Sequence, residues 1–77
     1  MVNNASLRNS DQWLRDQLRI LEIKSHKRPA EMAVLSGMSV ASYYNRLRDP
    51  EEFRLKELRA LDQLGRRFGV IILEGES

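Results

Sequence analysis

The stretch that decides the fold is residues 29–48, PAEMAVLSGMSVASYYNRLR. Pro29 suits the first position of a helix, where its missing N–H needs no partner. Gly37 favours the left-handed conformation that ends a helix, and Ser39 can cap the free N–H groups of the next helix. The sequence therefore predicts two short helices separated by a tight turn.

Apolar residues on both sides of this turn can pack into one core. The residues that we expect to face it are Met32, Ala33, Met38, Tyr43 and Leu47. Ala33 is small at a place where two crossing helices must approach closely. This arrangement indicates a helix-turn-helix, in which the second helix, about residues 39–48, enters the major groove of DNA.

Residues 32–39, followed by residues 43–47, resemble small bacterial and phage helix-turn-helix regulators of the Cro/phage-repressor-like (XRE-like) class. The resemblance covers about residues 10–69, because this class adds one helix before the motif and one or two after it. It implies an all-α bundle of four to five helices and a sequence-specific double-stranded DNA-binding transcriptional regulator. This chain departs from the class at Pro29, where many relatives carry a phosphate-binding Gln, and at Arg46, a position that is usually apolar.

Amphipathic segments predict one helix before this unit and one after it. Ser10 is a suitable N-cap for the first, which should end near residues 23–25, and the second spans about residues 55–67. The apolar residues that carry the two patterns are Trp13, Leu14, Leu18 and Leu21, then Leu55, Leu58, Leu61, Leu64 and Phe68. Residues 1–9 are polar and lack periodicity, so we expect a flexible tail before a domain of residues 10–69.

The outward positions of the second helix are the candidate reading residues. In a helix that begins at Val40, the core takes Tyr43 and Leu47, which leaves a polar face outward. The residues on this face and its margins are Ser39, Val40, Ala41, Ser42, Tyr44, Asn45 and Arg48. Asn45 can pair with adenine and Arg48 with guanine or a phosphate, while Val40 and Ala41 can contact a thymine methyl group. In the competing interpretation both tyrosines are in the core and Asn45 is only a tolerated polar residue.

Further candidate contacts would hold the DNA backbone and set the register. Lys27 and Arg28 precede the first helix of the unit, and Ser39 begins the second. The resemblance implies that Tyr44 hydrogen-bonds a phosphate. For Arg46 the sequence leaves two roles open: its stem can lie at the edge of the core, or it can pair with Glu31 or an acid of residues 49–52.

Charge is distributed unevenly, although the net charge of +2 is small. Residues 24–48 contain five basic residues and one acidic residue, whereas residues 49–64 contain three basic and five acidic residues. Positive charge therefore gathers on the proposed reading unit, as DNA binding favours. The alternative is an ordinary solvated surface of mixed sign.

The C-terminal segment is a short apolar run between two glycines. Val70, Ile71, Ile72 and Leu73 predict a β-strand over about residues 70–74. An unpaired strand edge is unfavourable, so this segment either pairs with the same segment of a second chain or docks on the helices as an extended arm. We favour the pairing, which makes residues 70–77 a dimerisation arm and the protein a homodimer.

Several classes of function are disfavoured by composition. The chain has no cysteine and one histidine, His26, so neither a metal site nor a cofactor is expected, and a reducing cytoplasm is the natural setting. A Gly-rich phosphate loop and a nucleophile with its base are both missing, so we do not expect an enzyme. There is no signal-peptide pattern and no apolar run near the roughly 20 residues of a membrane span.

Two functions remain open. The first is a DNA-binding repressor that acts as a dimer on a short palindrome, with half-sites about one helical turn apart. The second is a protein-binding adaptor, such as an antirepressor or antitoxin-like module, that keeps the fold without contacting DNA. The small net charge, Pro29 at the phosphate-binding position and the apolar run of residues 70–73 favour the adaptor.

Overall fold

The computed structural model describes the backbone of residues 2–73 and the side chains of residues 11–73. Its elements, in chain order, are α1 (Val2–Ser25), α2 (Pro29–Ser36), α3 (Val40–Arg48), a 3-10 turn (Pro50–Glu52) and α4 (Leu55–Arg67). No strand occurs between residues 2 and 73. The predicted all-helical fold is confirmed. The helices predicted at about residues 29–35, 39–48 and 55–67 agree with α2, α3 and α4 to within one residue.

The first helix is longer than the sequence indicated. It begins at Val2, so Ser10 lies inside α1 and residues 2–9 are helical. The predicted start at Ser10 is therefore wrong. Neither Gly nor Pro interrupts residues 2–25, and the N-cap preference of serine cannot by itself stop a helix that has no breaker before it.

The core lies where the four helices meet. Its buried apolar residues are Leu14, Leu18, Leu21, Met32, Ala33, Tyr43, Phe53, Leu61, Leu64, Val70 and Ile72, with Trp13, Met38, Leu47 and Leu58 half-buried against them. The core positions predicted around the turn are therefore confirmed. Leu55 and Phe68 are exceptions in the predicted stripe: they stand at the two ends of α4 and are 50% and 36% exposed.

The turn between α2 and α3 forms as the sequence predicted. Gly37 has a φ of 77°, in the left-handed region where a side chain would be strained. The N–H of Met38 donates to the carbonyl of Ala33 at 2.8 Å, which closes the C-terminus of α2. The Ser39 hydroxyl then accepts from the N–H of Ser42 at 3.1 Å and caps α3.

The segment after α4 docks on the helices, and residues 70–73 do not form the predicted strand. Val70 and Ile72 are 3% and 2% exposed, whereas Ile71 is 55% exposed. Every second side chain of this segment is thus buried, as it would be in a strand. The backbone groups of the segment, however, bond to side chains of the helices and not to a neighbouring strand. Gln17 donates to the carbonyl of Ile71 at 3.0 Å. The last residue of the predicted strand, residue 74, lies outside the described residues.

A buried carboxylate fixes this docked segment. Asp62 is 5% exposed and accepts from the N–H groups of Ile72 and Leu73 at 3.2 and 3.0 Å. It also accepts from Nε of Arg66 at 2.8 Å. Burial by itself would raise the pKa of Asp62, but these hydrogen bonds outweigh it and hold that pKa below its usual value. Asp62 therefore stabilises the segment in its ionised form.

Gly65 permits the close approach of the same segment. Its carbonyl accepts from the N–H of Val70 at 2.8 Å, and a Cβ at this position would lie 2.3 Å from the carbonyl oxygen of Val70. No side chain fits this space without displacing the backbone. The glycine is thus required by packing and not by an unusual φ angle.

A second buried carboxylate joins α3 to α4. Glu57 is 4% exposed, pairs with Arg46 at 3.1 and 3.2 Å, and accepts from the N–H of Arg54 at 2.9 Å. Burial by itself would raise the pKa of Glu57, but the Arg46 guanidinium and this N–H outweigh it and lower that pKa. The predicted pairing of Arg46 with Glu31 or an acid of residues 49–52 is therefore wrong: its partner is Glu57, and its side chain lies at the edge of the core.

Candidate nucleic-acid interface

The two faces of α3 have different surroundings. On the inner face Tyr43 is fully buried, while Arg46 and Leu47 are partly buried. The outer face is open to solvent over the length of this nine-residue helix. Its exposed residues are Val40, Ala41, Tyr44, Asn45 and Arg48, with exposed Ser39 and half-buried Ser42 at its start. The structure thus brings together the predicted reading residues.

The adjacent tyrosines separate the two faces. The Tyr43 hydroxyl donates to Oε2 of Glu22 at 2.8 Å. Burial and this hydrogen bond raise the pKa of Tyr43, so its phenol stays protonated. The Tyr44 ring meets the Tyr43 ring edge-to-face at a centroid distance of 6.3 Å, and its side chain is 49% exposed. The interpretation in which both tyrosines are in the core is therefore wrong.

An arginine of α1 fixes the C-terminus of α3. Nε of Arg15 donates to the carbonyl of Leu47 at 2.8 Å, and its Nη2 donates to the carbonyl of Arg48 at 3.1 Å. The last carbonyls of a helix have no hydrogen-bond donor within the helix and carry partial negative charge. The Arg15 guanidinium supplies both the donors and a compensating positive charge. Arg15 was not among the sequence-predicted site residues, because its partners lie more than thirty residues away and nothing local indicates them.

Asn45 and Arg48 form a pair on the outer face. Nη2 of Arg48 donates to Oδ1 of Asn45, three residues earlier on the helix. Both residues are exposed, and this bond uses neither the amide N–H groups of Asn45 nor the other guanidinium N–H groups of Arg48, so the pair retains hydrogen-bond donors. Bidentate pairing of Asn45 with adenine also uses its Oδ1, which has a second lone pair beside the one that Arg48 occupies.

The other predicted backbone contacts lie before α2. Arg28 is exposed and Lys27 is half-buried. The N–H of Arg28 donates to Oε1 of Glu31 at 2.8 Å, so a carboxylate already occupies part of the α2 N-terminus. Pro29 and Tyr44 line one groove, which places the start of α2 and the outer face of α3 at a shared concave surface.

This groove runs between α1 and α3. One part, of about 440 Å³, is lined by Gln12, Arg15, Asp16, Arg19, Glu22, Pro29, Tyr44 and Leu47. A more open part, of about 720 Å³, is lined by Arg15, Arg19, Tyr44, Leu47 and Arg48. Arg19 was not among the candidates, because it lies on α1, outside the predicted helix-turn-helix of residues 29–48.

The predicted dimerisation residues are divided between core and surface. Val70 and Ile72 are buried and Leu73 is half-buried, which leaves Ile71 as the accessible apolar side chain of this segment. Among the described residues there is no cluster of His, Asp or Glu suited to a metal ion, and none of the helices is long and apolar enough to cross a membrane. Comparisons of the chain with protein-family models, curated proteins and solved structures gave no match.

Proposed function

We propose that this protein is a sequence-specific double-stranded DNA-binding regulator of bacterial or phage type, similar to the Cro/phage-repressor-like class. The observation that carries the proposal is the open outer face of α3, with Tyr44, Asn45 and Arg48 exposed on a helix whose opposite face is fixed in the core. An α-helix of this kind fits the major groove, and a rigid support preserves its alignment with the bases.

Each residue of the face has a role in this proposal. Asn45 and Arg48 contact base edges, and Val40 and Ala41 pack on thymine methyl groups. The residues that hold phosphates are Lys27, Arg28, Ser39, Ser42 and Tyr44. Arg46 takes no part, because Glu57 neutralises it inside the protein.

Assembly and regulation complete the proposal. A homodimer in the cytoplasm binds two half-sites about one helical turn apart and represses by excluding polymerase. In the docked conformation Ile71 is the side chain of residues 70–73 that offers most apolar surface to a second chain. Pairing of this segment as strands across the dimer would require Val70 and Ile72 to leave the core.

Selection of bound duplexes from a random pool tests the proposal. We expect the wild-type chain to enrich a short sequence related by two-fold symmetry. Asn45→Ala combined with Arg48→Ala should relax the selected sequence, whereas Lys27→Ala should weaken binding to all sequences alike. The recognition-helix assignment is wrong if the double variant selects and binds the same duplex as the wild type.

A protein-binding adaptor is the second candidate, and exposed apolar side chains favour it. Val34, Leu35 and Val40, on either side of the turn, are 77%, 43% and 41% exposed. A partner protein could bury this surface. Salt separates the candidates, because DNA binding weakens steeply as salt rises and an apolar contact does not. Size-exclusion chromatography with the isolated partner would detect such a complex at high salt.

A further inference from the structure

We propose that the groove between α1 and α3 binds one phosphate of the DNA backbone, with Arg19 of α1 as a contact that the reading helix does not supply. This inference rests on the proposed function. Tyr44 and Arg48 belong both to the outer face of α3 and to the open part of the groove. DNA seated on that face therefore passes directly beside the groove.

The charge of the groove changes along its length. Three of the five residues that line its open part are arginines, and none of the five is acidic. In the part that extends towards Pro29, Arg15 and Arg19 are joined by Asp16 and Glu22, so the two charges of each sign balance there. Carboxylates repel an anion at short range, so a phosphate is held at the open part and excluded from the other.

The arginines of the open part have different tasks. The guanidinium of Arg15 donates to the carbonyls of Leu47 and Arg48 and so joins α1 to α3. It keeps its positive charge beside the groove, but its main hydrogen bonds are already used. Arg19 lies one turn later on α1 and is exposed. Its guanidinium can reach an anion without breaking an anchor of α3. Arg19 supplies the cation for the phosphate, and the Tyr44 hydroxyl supplies a second hydrogen-bond donor, while Arg48 stays with the bases.

A matched variant separates this role from general charge. Lys24 is an exposed cation on the same helix, two turns after Gln17, which faces the docked C-terminal segment. Lys24→Ala therefore removes the same charge as Arg19→Ala, but on the side of α1 away from the groove. Circular dichroism should show that both variants keep the wild-type helix content and midpoint of unfolding.

The experiment uses the duplex selected by the wild type, with single backbone phosphates replaced in turn by neutral methylphosphonates. Arg19→Ala should weaken binding about tenfold and lower the salt slope by about one, while Lys24→Ala leaves both nearly unchanged. At the phosphate that Arg19 contacts, the methylphosphonate should weaken DNA binding by the wild type. The same replacement should cause no further loss of binding in Arg19→Ala.

Two results would overturn the inference, and they differ from a failure of the proposed function. The groove assignment is wrong if Arg19→Ala and Lys24→Ala have equal effects. It is also wrong if every methylphosphonate weakens Arg19→Ala as much as it weakens the wild type. If the wild type itself binds no duplex in a salt-dependent way, the proposed function fails and the phosphate site fails with it.

Discussion

Arg46 and Arg48 lie two residues apart on α3 and have opposite surroundings. Arg46 is partly buried and makes a two-point ion pair with Glu57, which is itself almost inaccessible. Arg48 is exposed, and its side chain bonds only to Asn45 of the same helix among the described residues. The same residue type thus joins α3 to α4 at one position and is available for binding at the other.

The difference shows how a short helix can present a polar face without losing its place in the fold. The inner face is fixed by groups from other parts of the chain: Glu57 from α4, Glu22 from α1 for Tyr43, and Arg15 for the helix C-terminus. The outer face receives no comparable contact from the described residues. We therefore expect substitutions on the outer face to have little effect on the free energy of unfolding, and substitutions among the inner contacts to have a large one.

The largest effect is expected from Arg46→Ala. This change leaves the Glu57 carboxylate buried without its cation, and we expect the free energy of unfolding to fall by about 3 kcal/mol. Urea unfolding followed by circular dichroism measures it. Lys56→Ala, which removes an exposed cation of α4, serves as the control for loss of charge. A loss below about 0.5 kcal/mol for Arg46→Ala would show that the ion pair does not hold α3 in place.

Gly65→Ala tests the docking of the C-terminal segment, because docking determines whether this change lowers or raises the free energy of unfolding. In an exposed helix the change would stabilise by about 1 kcal/mol, because alanine favours the helix. Here the added Cβ meets the carbonyl of Val70, so we expect a loss of about 1–3 kcal/mol in urea unfolding. Gln63→Ala, on the exposed side of α4, should stay within about 0.5 kcal/mol of the wild type. A more stable Gly65→Ala protein would contradict the docked arrangement.

The two buried carboxylates predict a direction for the pH dependence. Their pKa values are lower in the folded protein than the usual values of 4.5 for Glu57 and 3.8 for Asp62. A group of this kind adds stability above its unfolded pKa and loses it as the pH falls through its folded pKa. Thermal unfolding between pH 7 and pH 2 should therefore show constant stability down to about pH 5 and a decline below it.

Asp62→Asn separates the two carboxylates in this titration. The amide oxygen can still accept from the N–H groups of Ile72 and Leu73, but it no longer titrates. We expect a lower stability at pH 7 and a smaller loss between pH 5 and pH 2 than in the wild type. An unchanged acid loss in this variant would assign the pH dependence to groups other than Asp62.

The smallest effect on stability is expected from the outer face. Asn45→Ala and Arg48→Ala should each change the free energy of unfolding by less than about 0.5 kcal/mol, because both side chains are exposed. Each should nevertheless weaken binding to the selected duplex by about tenfold. A large loss of stability in either variant would mean that the outer face supports the fold.

Sequence reasoning predicted the features that depend on neighbouring residues. Pro29, Gly37 and Ser39 determine the bounds of the two short helices through backbone preferences, and helical spacing of apolar residues defines α4. The exposed residues of α3 followed from the same spacing. These features were predictable because every interaction they need lies within one or two turns.

The features that were missed depend on contacts distant in sequence. Arg15 bonds to carbonyls 32 and 33 residues later, and Glu57 meets Arg46 across 11 residues. In the single chain residues 70–73 take the alternative, docking on the helices, because Asp62 and Gln17 bond to backbone groups that a strand would pair; pairing with a second chain stays a prediction. Helical spacing gives no information on which acidic residue will be buried, so the sequence did not indicate the buried positions of Glu57 and Asp62.

Salt titration of binding to the selected duplex tests the central claim most directly, since it asks whether phosphates are held beside the outer face of α3. The account predicts that the logarithm of the binding constant falls linearly with the logarithm of salt concentration, with a slope of about −3 or steeper per chain. A slope near zero, or tight binding that persists unchanged at high salt, would contradict it.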